Sequence, residues 1–429
     1  MTAPATVTAP VGPLLIAQAG PPAHRDPTYL RYLGGQAVSI LGDQVWYVAL
    51  SYSAVQLASP GTAGVVLAVS ALPRLVLLLF GGAFVDRYGP RRLMIGSDAA
   101  RGVIALVTAA VALAQPSVAL LVVVALAFGL ADALFLPAAG AMLPRLLSPT
   151  QLTGGLALSG LTARAALTLG APLGGLLLPI GGLPLACLVN AATFAVSVLA
   201  LWSVHPAPAT PTPRTPVGTA VREGLTYLLR HRLLRVVLLA GLLVNLGAVG
   251  PLNVGLALVA DQRDWGSAGI GVMLAGFGVG SVAGNLLMMR WRPRHGLGMI
   301  AGACAVVQAG ALFAIAVAPA PAWAFAATAL GGLAGGPQAV LLTGLTHTYT
   351  ADSHRGRVAS INSLASLGIT PVAMAVMGFA AEGMGTTRAF AASAALVLAA
   401  AALCLLNPSL RQATLHTTPA PPNPTAATR

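Results

Sequence analysis

Long apolar stretches alternate with short polar breaks from about residue 32 to residue 406. Stretches of about 20 apolar residues are long enough to cross a bilayer as α-helices. Twelve such segments are predicted. Six lie at about 32–57, 62–85, 94–114, 118–141, 154–179 and 183–204, and six more at about 235–259, 267–289, 297–318, 322–346, 358–380 and 386–406. Between the sixth and the seventh lies HPAPATPTPRTPVGTA, whose prolines bar a spanning helix. VREGLTYLLRHRLLR comes next. Its Leu225, Leu228, Leu229 and Leu233 recur at near-helical spacing, which predicts a short amphipathic helix on the membrane surface.

This pattern predicts an all-α membrane protein of 12 transmembrane helices. One six-helix bundle spans 31–205 and a second spans 234–406, joined by a cytoplasmic linker at 206–233. Residues 1–30 and 407–429 are polar and proline-rich, and disorder is expected there. Internal repeats of this kind are common in secondary transporters. A trace of the repeat is visible in Gly82, which opens the link between segments 2 and 3, and Gly284, which stands similarly before Arg290, Arg292 and Arg294.

Composition agrees with the pattern. Of 429 residues, 57% are hydrophobic and only 8% are charged. A soluble domain carries roughly 25% charged residues, so so few charges cannot cover a soluble surface of this size. The net charge of +13 would suit a nucleic-acid partner if it were clustered. It is not: every basic residue apart from histidine is arginine, and the arginines are scattered through the loops. With both termini inside, eighteen arginines fall in cytoplasmic segments and only Arg263 and Arg388 fall outside, which favours this orientation under the positive-inside rule. Arg74, Arg101 and Arg164 remain within or at the edges of the segments. Cys187, Cys304 and Cys404 lie in separate apolar segments and read as small packing residues. No histidine pair has metal-ligand spacing, and a chain without lysine cannot carry a standard phosphate-binding loop. No enzyme, nucleotide, metal or cofactor is therefore expected.

The strongest local signal is GGAFVDRYGPRR between segments 2 and 3, with Gly82, Asp86, Arg87, Gly89, Arg91 and Arg92. Gly82 permits close helix approach, Gly89 permits a tight turn, and the charges can cluster at the cytoplasmic surface. After the second of twelve segments, this stretch resembles motif A of the major facilitator superfamily. SILGDQ, LPRLVLLLFGG, SDAARG, FLPAAGAMLPRLL, REGLTYLLRHRLLR and RGRVASINSL follow in order. Together they resemble the drug:proton antiporter-3 group, which includes the enterobactin exporter and macrolide efflux proteins. Two departures stand out. The antiporter element on segment 5 reads LGAPLGGLL, with Pro172 displaced, and Met288 stands where a second copy of motif A would have an acid. The resemblance implies that Asp86 caps a facing helix of the other half, closing the inner side of the outward-facing state. It also implies a monomer in the inner or plasma membrane that exports small amphiphilic compounds in exchange for protons. The alternatives are an uncoupled uniporter or importer, or a receptor that transports nothing.

Ionisable residues inside a bilayer are expensive, so each one is a functional candidate. Asp43 lies in segment 1 and Asp132 in segment 4, and segments 1, 4, 7 and 10 line the central cavity in the family that this chain resembles. Either carboxylate can take up and release a proton. Each can equally be a buried structural partner, with Arg74 neutralising Asp43 and Arg164 neutralising Asp132. Asp98 and Arg101, one helical step apart at the predicted start of segment 3, read as a structural or gating pair. Arg355 and Arg357, before segment 11, have the same two readings. Trp46, Tyr47 and Phe135 can build an aromatic pocket wall. Asn245, Gln308 and Gln338 are uncharged polar candidates, better suited to helix–helix hydrogen bonds. Pro73 and Pro371 can act as bending points.

Overall fold

The computed structural model describes residues 22–207, 217–291, 293, 295–351 and 354–413. The N-terminal stretch, most of the proline-rich link and the C-terminal tail, with Arg214, Arg292, Arg294 and Arg429, lie outside the described residues. No strand occurs among the described residues. The helices are α1 (Pro27–Leu57), α2 (Pro60–Tyr88), α3 (Pro90–Ala114), α4 (Val118–Ala133), α5 (Phe135–Leu146) and α6 (Pro149–Trp202). After the link come α7 (Val217–Arg230), α8 (Arg232–Gly250), α9 (Leu256–Gln262) and α10 (Gly266–Trp291). The chain ends with α11 (Leu297–Val317), α12 (Pro321–Thr348), α13 (Arg355–Met384), α14 (Thr386–Leu406) and α15 (Pro408–Arg411).

Helix starts follow local chemistry. Five long helices open with proline, whose missing N–H costs nothing in the first turn. Asp26 caps α1 by accepting from the Thr28 and Tyr29 amides, and Ser148 with Gln151 forms a capping box at α6. Gly89, at φ 79°, makes the left-handed turn between α2 and α3.

Nine helical stretches among the described residues are long and apolar enough to cross a membrane. One of them, Thr150–Trp202, is 53 residues long. Gly181 (φ −146°, ψ 15°) and Gly182 (φ 59°, ψ −158°) leave helical geometry and bend it at the break predicted between segments 5 and 6. The arms 150–180 and 183–202 each reach the roughly 20 residues that a span needs. Leu113, Ile180 and Leu406 are each at least three-quarters exposed, as expected of side chains that face lipid.

Prolines explain two other interruptions. Pro137 cannot donate to Ala133, and the helix breaks at Leu134 between α4 and α5. Pro251 opens a π-helical turn, Pro251–Gly255, between α8 and α9. Segments 4 and 7 are therefore helices with built-in breaks.

Helix α1 packs along α6, α3 along α6, and α2 along α4; in the second half α10 packs along α12, α11 along α14, and α8 along α14 and α13. The most extensive contacts between the halves are α2 with α13 and α6 with α10, and α1 also meets α9 and α10. The α2–α13 and α6–α10 contacts close tightly at one end of the molecule. A Cβ on Gly64 would stand 2.8 Å from Met374 O, and one on Gly175 would stand 2.9 Å from Ser267 O. At the same end the Glu382 carboxylate of α13 accepts from the Gly61 amide at 2.8 Å and the Ser59 hydroxyl at 3.2 Å. It thus caps the N-terminus of α2 across the two halves. At the opposite end of α2, Asp86, Arg87 and Tyr88 are exposed.

Candidate functional site

Midway along the helices, four helices deliver five charges to one point. Arg101, near the middle of α3, is 1% exposed. Its Nη1 donates to Asp43 Oδ2 of α1 at 3.0 Å and to Asp132 Oδ1 of α4 at 3.1 Å. Its Nη2 donates to Asp98 Oδ1, one turn back on α3. Asp98 Oδ2 accepts from Ser197 of α6 at 2.6 Å. Arg74 of α2 holds the other oxygen of Asp132, its Nε donating at 2.6 Å. The Arg101 guanidinium is flanked by the rings of Phe135 and Phe194, 4.8 and 4.5 Å from their centroids. Three carboxylates thus face two guanidiniums, which leaves one negative charge in excess. Within the cluster one carboxylate oxygen has no partner among the described residues: Asp43 Oδ1.

Small residues let these helices meet. A Cβ on Gly42 would fall on Thr193 and Asn190, so α1 presses against α6 beside Asp43 only because position 42 is glycine. Gly129, one turn before Asp132, plays the same part between α4 and α2; a Cβ there would stand 2.3 Å from Ser70 O. Gly129→Ala is therefore expected to destabilise the protein. The contact is with backbone, and the cost of overpacking, about 1–3 kcal/mol, exceeds the roughly 1 kcal/mol gained in helix propensity. A lower thermal unfolding midpoint in detergent checks it; an unchanged or higher midpoint overturns it.

The cluster forms one wall of a cavity of about 320 Å³, bounded also by Trp46, Tyr47, Phe128, Asn253 and Thr370. A second cavity of about 270 Å³ shares Gln44, Asn253 and Leu274 with it and is bordered by Arg164 and Thr168. Trp46 stacks on Phe128 with centroids 5.0 Å apart. The π-helical turn brings Asn253 to the centre, where Oδ1 accepts from the Tyr47 hydroxyl at 2.6 Å and its carbonyl accepts from Ser51 at 3.1 Å.

Several residues stand elsewhere than the sequence suggested. Arg74 pairs with Asp132 and not with Asp43. Arg164 is not the partner of Asp132 but borders the second cavity. Helix α3 starts at Pro90, so Asp98 and Arg101 lie deep in the span with Asp43 and Asp132 and not at its cytoplasmic edge. Phe135 lies against Arg101 and does not line either cavity. Asn245 donates to Gly241 O of its own helix at 2.9 Å, and Gln338 donates across helices to Ala301 O at 3.2 Å. Gln308 is buried, with Oε1 unpartnered. Of the motif A residues, Arg91 donates to Leu201 O and Trp202 O at 2.9 and 2.6 Å, capping the last turn of α6. Arg87 lies over the Tyr88 ring, and Arg92 is exposed. Arg357 pairs with Glu223 of α7 at 2.9 Å, and Arg355 borders a separate cavity with His347 and Asn362. Sequence reasoning missed Phe128, Phe194, Ser197 and Asn253. Only Asn253 left a signal, as a polar residue beside a mid-segment proline.

Among the described residues the chain is all-helical, with nine stretches long and apolar enough to span and a cavity walled by charged side chains at mid-length, consistent with a major facilitator superfamily transporter. A sequence profile of the transmembrane secretion effectors matches residues 32–425, and the chain belongs to that family, whose members are membrane transporters and not enzymes. No curated protein matches the chain. Several solved structures share its fold. A bacterial homologue of the human lysosomal transporter Spinster, inward-facing and unoccupied, superposes with a TM-score of 0.69 at 14% identity, over 88% of this chain and 96% of that one. The nucleoside transporter NupG gives 0.65 at 13% identity, over 89% and 99%. A D-xylose–proton symporter gives 0.66 at 14% identity, over 90% and 99%. At such identities the likeness is one of fold.

Proposed function

We propose that this chain exports small amphiphilic compounds (drugs, macrolides or siderophores) in exchange for protons. It does so as a monomer of twelve transmembrane helices, with 31–205 and 234–406 as two rocking six-helix bundles and 206–233 as the cytoplasmic link. The arginine bias supports termini on the cytoplasmic side. On that orientation the end where Gly64 meets Met374 and Gly378 is the outer end, and its tight packing supports a cavity that opens inward.

The observation that carries this reading is Asp43 Oδ1, a buried carboxylate oxygen without a partner at the wall of a central cavity. A buried unsatisfied acceptor in a cluster with one surplus negative charge is relieved by a proton or by a cationic group of a substrate. Competition for that one position links the two fluxes. Aromatic and apolar neighbours, Trp46, Phe128 and Leu274, suit an amphiphilic substrate with a cationic end. The fold hosts proton coupling elsewhere, in the D-xylose–proton symporter. Motif A, with Asp86, Arg87, Gly89, Arg91 and Arg92, closes the inner side in the opposite state, and Arg357 assists through the linker helix.

A second reading, an uncoupled uniporter or importer, draws on the two arginines that hold Asp132 and make it a structural partner. Transport into everted vesicles with an imposed pH gradient separates the two. Asp43→Asn is expected to abolish gradient-driven accumulation while leaving downhill flux, and Asp132→Asn to impair both. Unchanged accumulation in both variants sinks proton coupling.

A further inference from the structure

A basic cavity of about 550 Å³ lies away from the transport site, where α7 meets the loop between α12 and α13. Arg222, Thr226, Arg230, His231 and His354 line it, with Tyr227 as its floor. The Tyr227 ring is sandwiched between the His231 and His354 rings, each with its centroid 4.3 Å away. The Tyr227 hydroxyl accepts from the Ala351 amide at 3.1 Å. These contacts tie α7 to the residues just before α13. Glu223 also lines the cavity, and its carboxylate is engaged by Arg357 at 2.9 Å. Arg222 and Arg230 therefore face the cavity, and the acid that lines it with them is held by a third guanidinium, that of Arg357.

The same helix shows where this cavity sits. Arg222, Thr226 and Arg230 form one row at four-residue spacing on α7. Beside it runs a second row, Leu225 and Leu229, which are 41% and 48% exposed although leucine. The opposite face, with Leu228, is buried against Val358 and Ile361 of α13. One residue after α7 ends, α8 begins the stretch Arg232–Gln262, which is apolar enough to span. Helix α7 thus lies where the chain enters the bilayer, with leucines on one side and arginines next to them. Leucines that dip into acyl chains beside arginines at headgroup level are the arrangement of an interfacial helix on an anionic leaflet.

We infer that this cavity binds the phosphate of an anionic phospholipid headgroup, with Arg222 and Arg230 as its charged ligands and Leu225 and Leu229 against its acyl chains. Because α7 rests on α13, which lies along α2 at the junction of the two halves, the lipid holds the linker helix against the moving part of the transporter.

Native mass spectrometry of the full-length chain in detergent, titrated with short-chain phosphatidylglycerol, phosphatidylcholine and inorganic phosphate, tests this. Phosphatidylglycerol is expected to bind at least tenfold more tightly than phosphatidylcholine or inorganic phosphate. The Arg222→Gln/Arg230→Gln variant is expected to lose about 30-fold in affinity for phosphatidylglycerol, from about 1 kcal/mol per arginine near an anionic headgroup. The Arg222→Lys/Arg230→Lys variant keeps the charge and is expected to bind within about fivefold of the parent. Leu225→Gln/Leu229→Gln weakens lipid binding but not phosphate binding. Inorganic phosphate binding as tightly as phosphatidylglycerol overturns the lipid assignment in favour of a free-anion site. Equal binding of the two lipids, or equal loss in the lysine and glutamine variants, overturns the charged-ligand assignment.

Discussion

Replacing Arg101 with glutamine is expected to cost more stability than any other single change in the candidate site. The guanidinium holds Asp43, Asp98 and Asp132 at once, and its removal leaves Asp98, fully buried, with only the Ser197 hydroxyl. Breaking a buried ion pair by deleting one partner costs about 3–5 kcal/mol, because the remaining charge is stranded. Here three carboxylates lose that partner and only Asp132 keeps another, Arg74. Thermal unfolding in detergent should show a marked fall in the midpoint, and substrate transport should be lost. Arg101→Lys should fall between, since a single ammonium cannot span three carboxylates in the way that a planar fork does. The test of mechanism is a double-mutant cycle. Asp98→Asn placed on Arg101→Gln should recover part of the lost stability by removing the most deeply buried stranded charge. An Arg101→Gln protein with parental stability and transport would mean that the cluster is not charge-balanced as drawn.

The second large effect is expected at the tight junction between α2 and α13, from Gly378→Leu. A Cβ at position 378 would already stand 2.5 Å from Pro60 O and 2.9 Å from the Gly64 Cα. Both are backbone of α2, so no side chain can turn aside. A leucine must push α13 away from α2 there, which also pulls Glu382 from the Gly61 amide. The penalty falls only on the state in which this end is closed, at about 1–3 kcal/mol. An equilibrium between two states then moves by about 5- to 150-fold toward the other. Spin labels at Ser59 and Gly383, both exposed, read it directly: the parent gives one short distance and the variant a population shifted to a longer one. An unchanged distance distribution would show that this junction does not set the state of the molecule.

The sequence carried the helices further than it carried the site. Apolar length marked the segments, and Gly89, Gly182, Pro137 and Pro251 account for the turns and breaks that the structure shows. Asp43 and Asp132 stood out because charges inside apolar segments are rare. Their partners did not. Gly89 and Pro90 start α3 about four residues earlier than hydropathy indicates, because the motif arginines occupy its first turn. That shift moves Arg101 from the membrane edge to mid-depth. Which arginine faces which aspartate depends on how α1 to α4 rotate about their axes. That rotation is set by close approaches at Gly42 and Gly129, and spacing along one chain does not encode it. Phe128 and Phe194 are apolar residues in apolar helices, and nothing in the sequence separates them from residues that face lipid.

The surplus negative charge of the aspartate–arginine cluster has an electrical consequence. Loading Asp43 with one proton, or the cavity with one monovalent cation, brings the centre of the protein to neutrality in both loaded states. On the proposed reading, a cycle that admits one proton and releases one such cation carries no net charge across the membrane. The voltage, worth about 2.3 kcal/mol per charge per 100 mV, then does no work on the exchange. A neutral substrate breaks that balance, and the same five side chains then yield a current-generating pump.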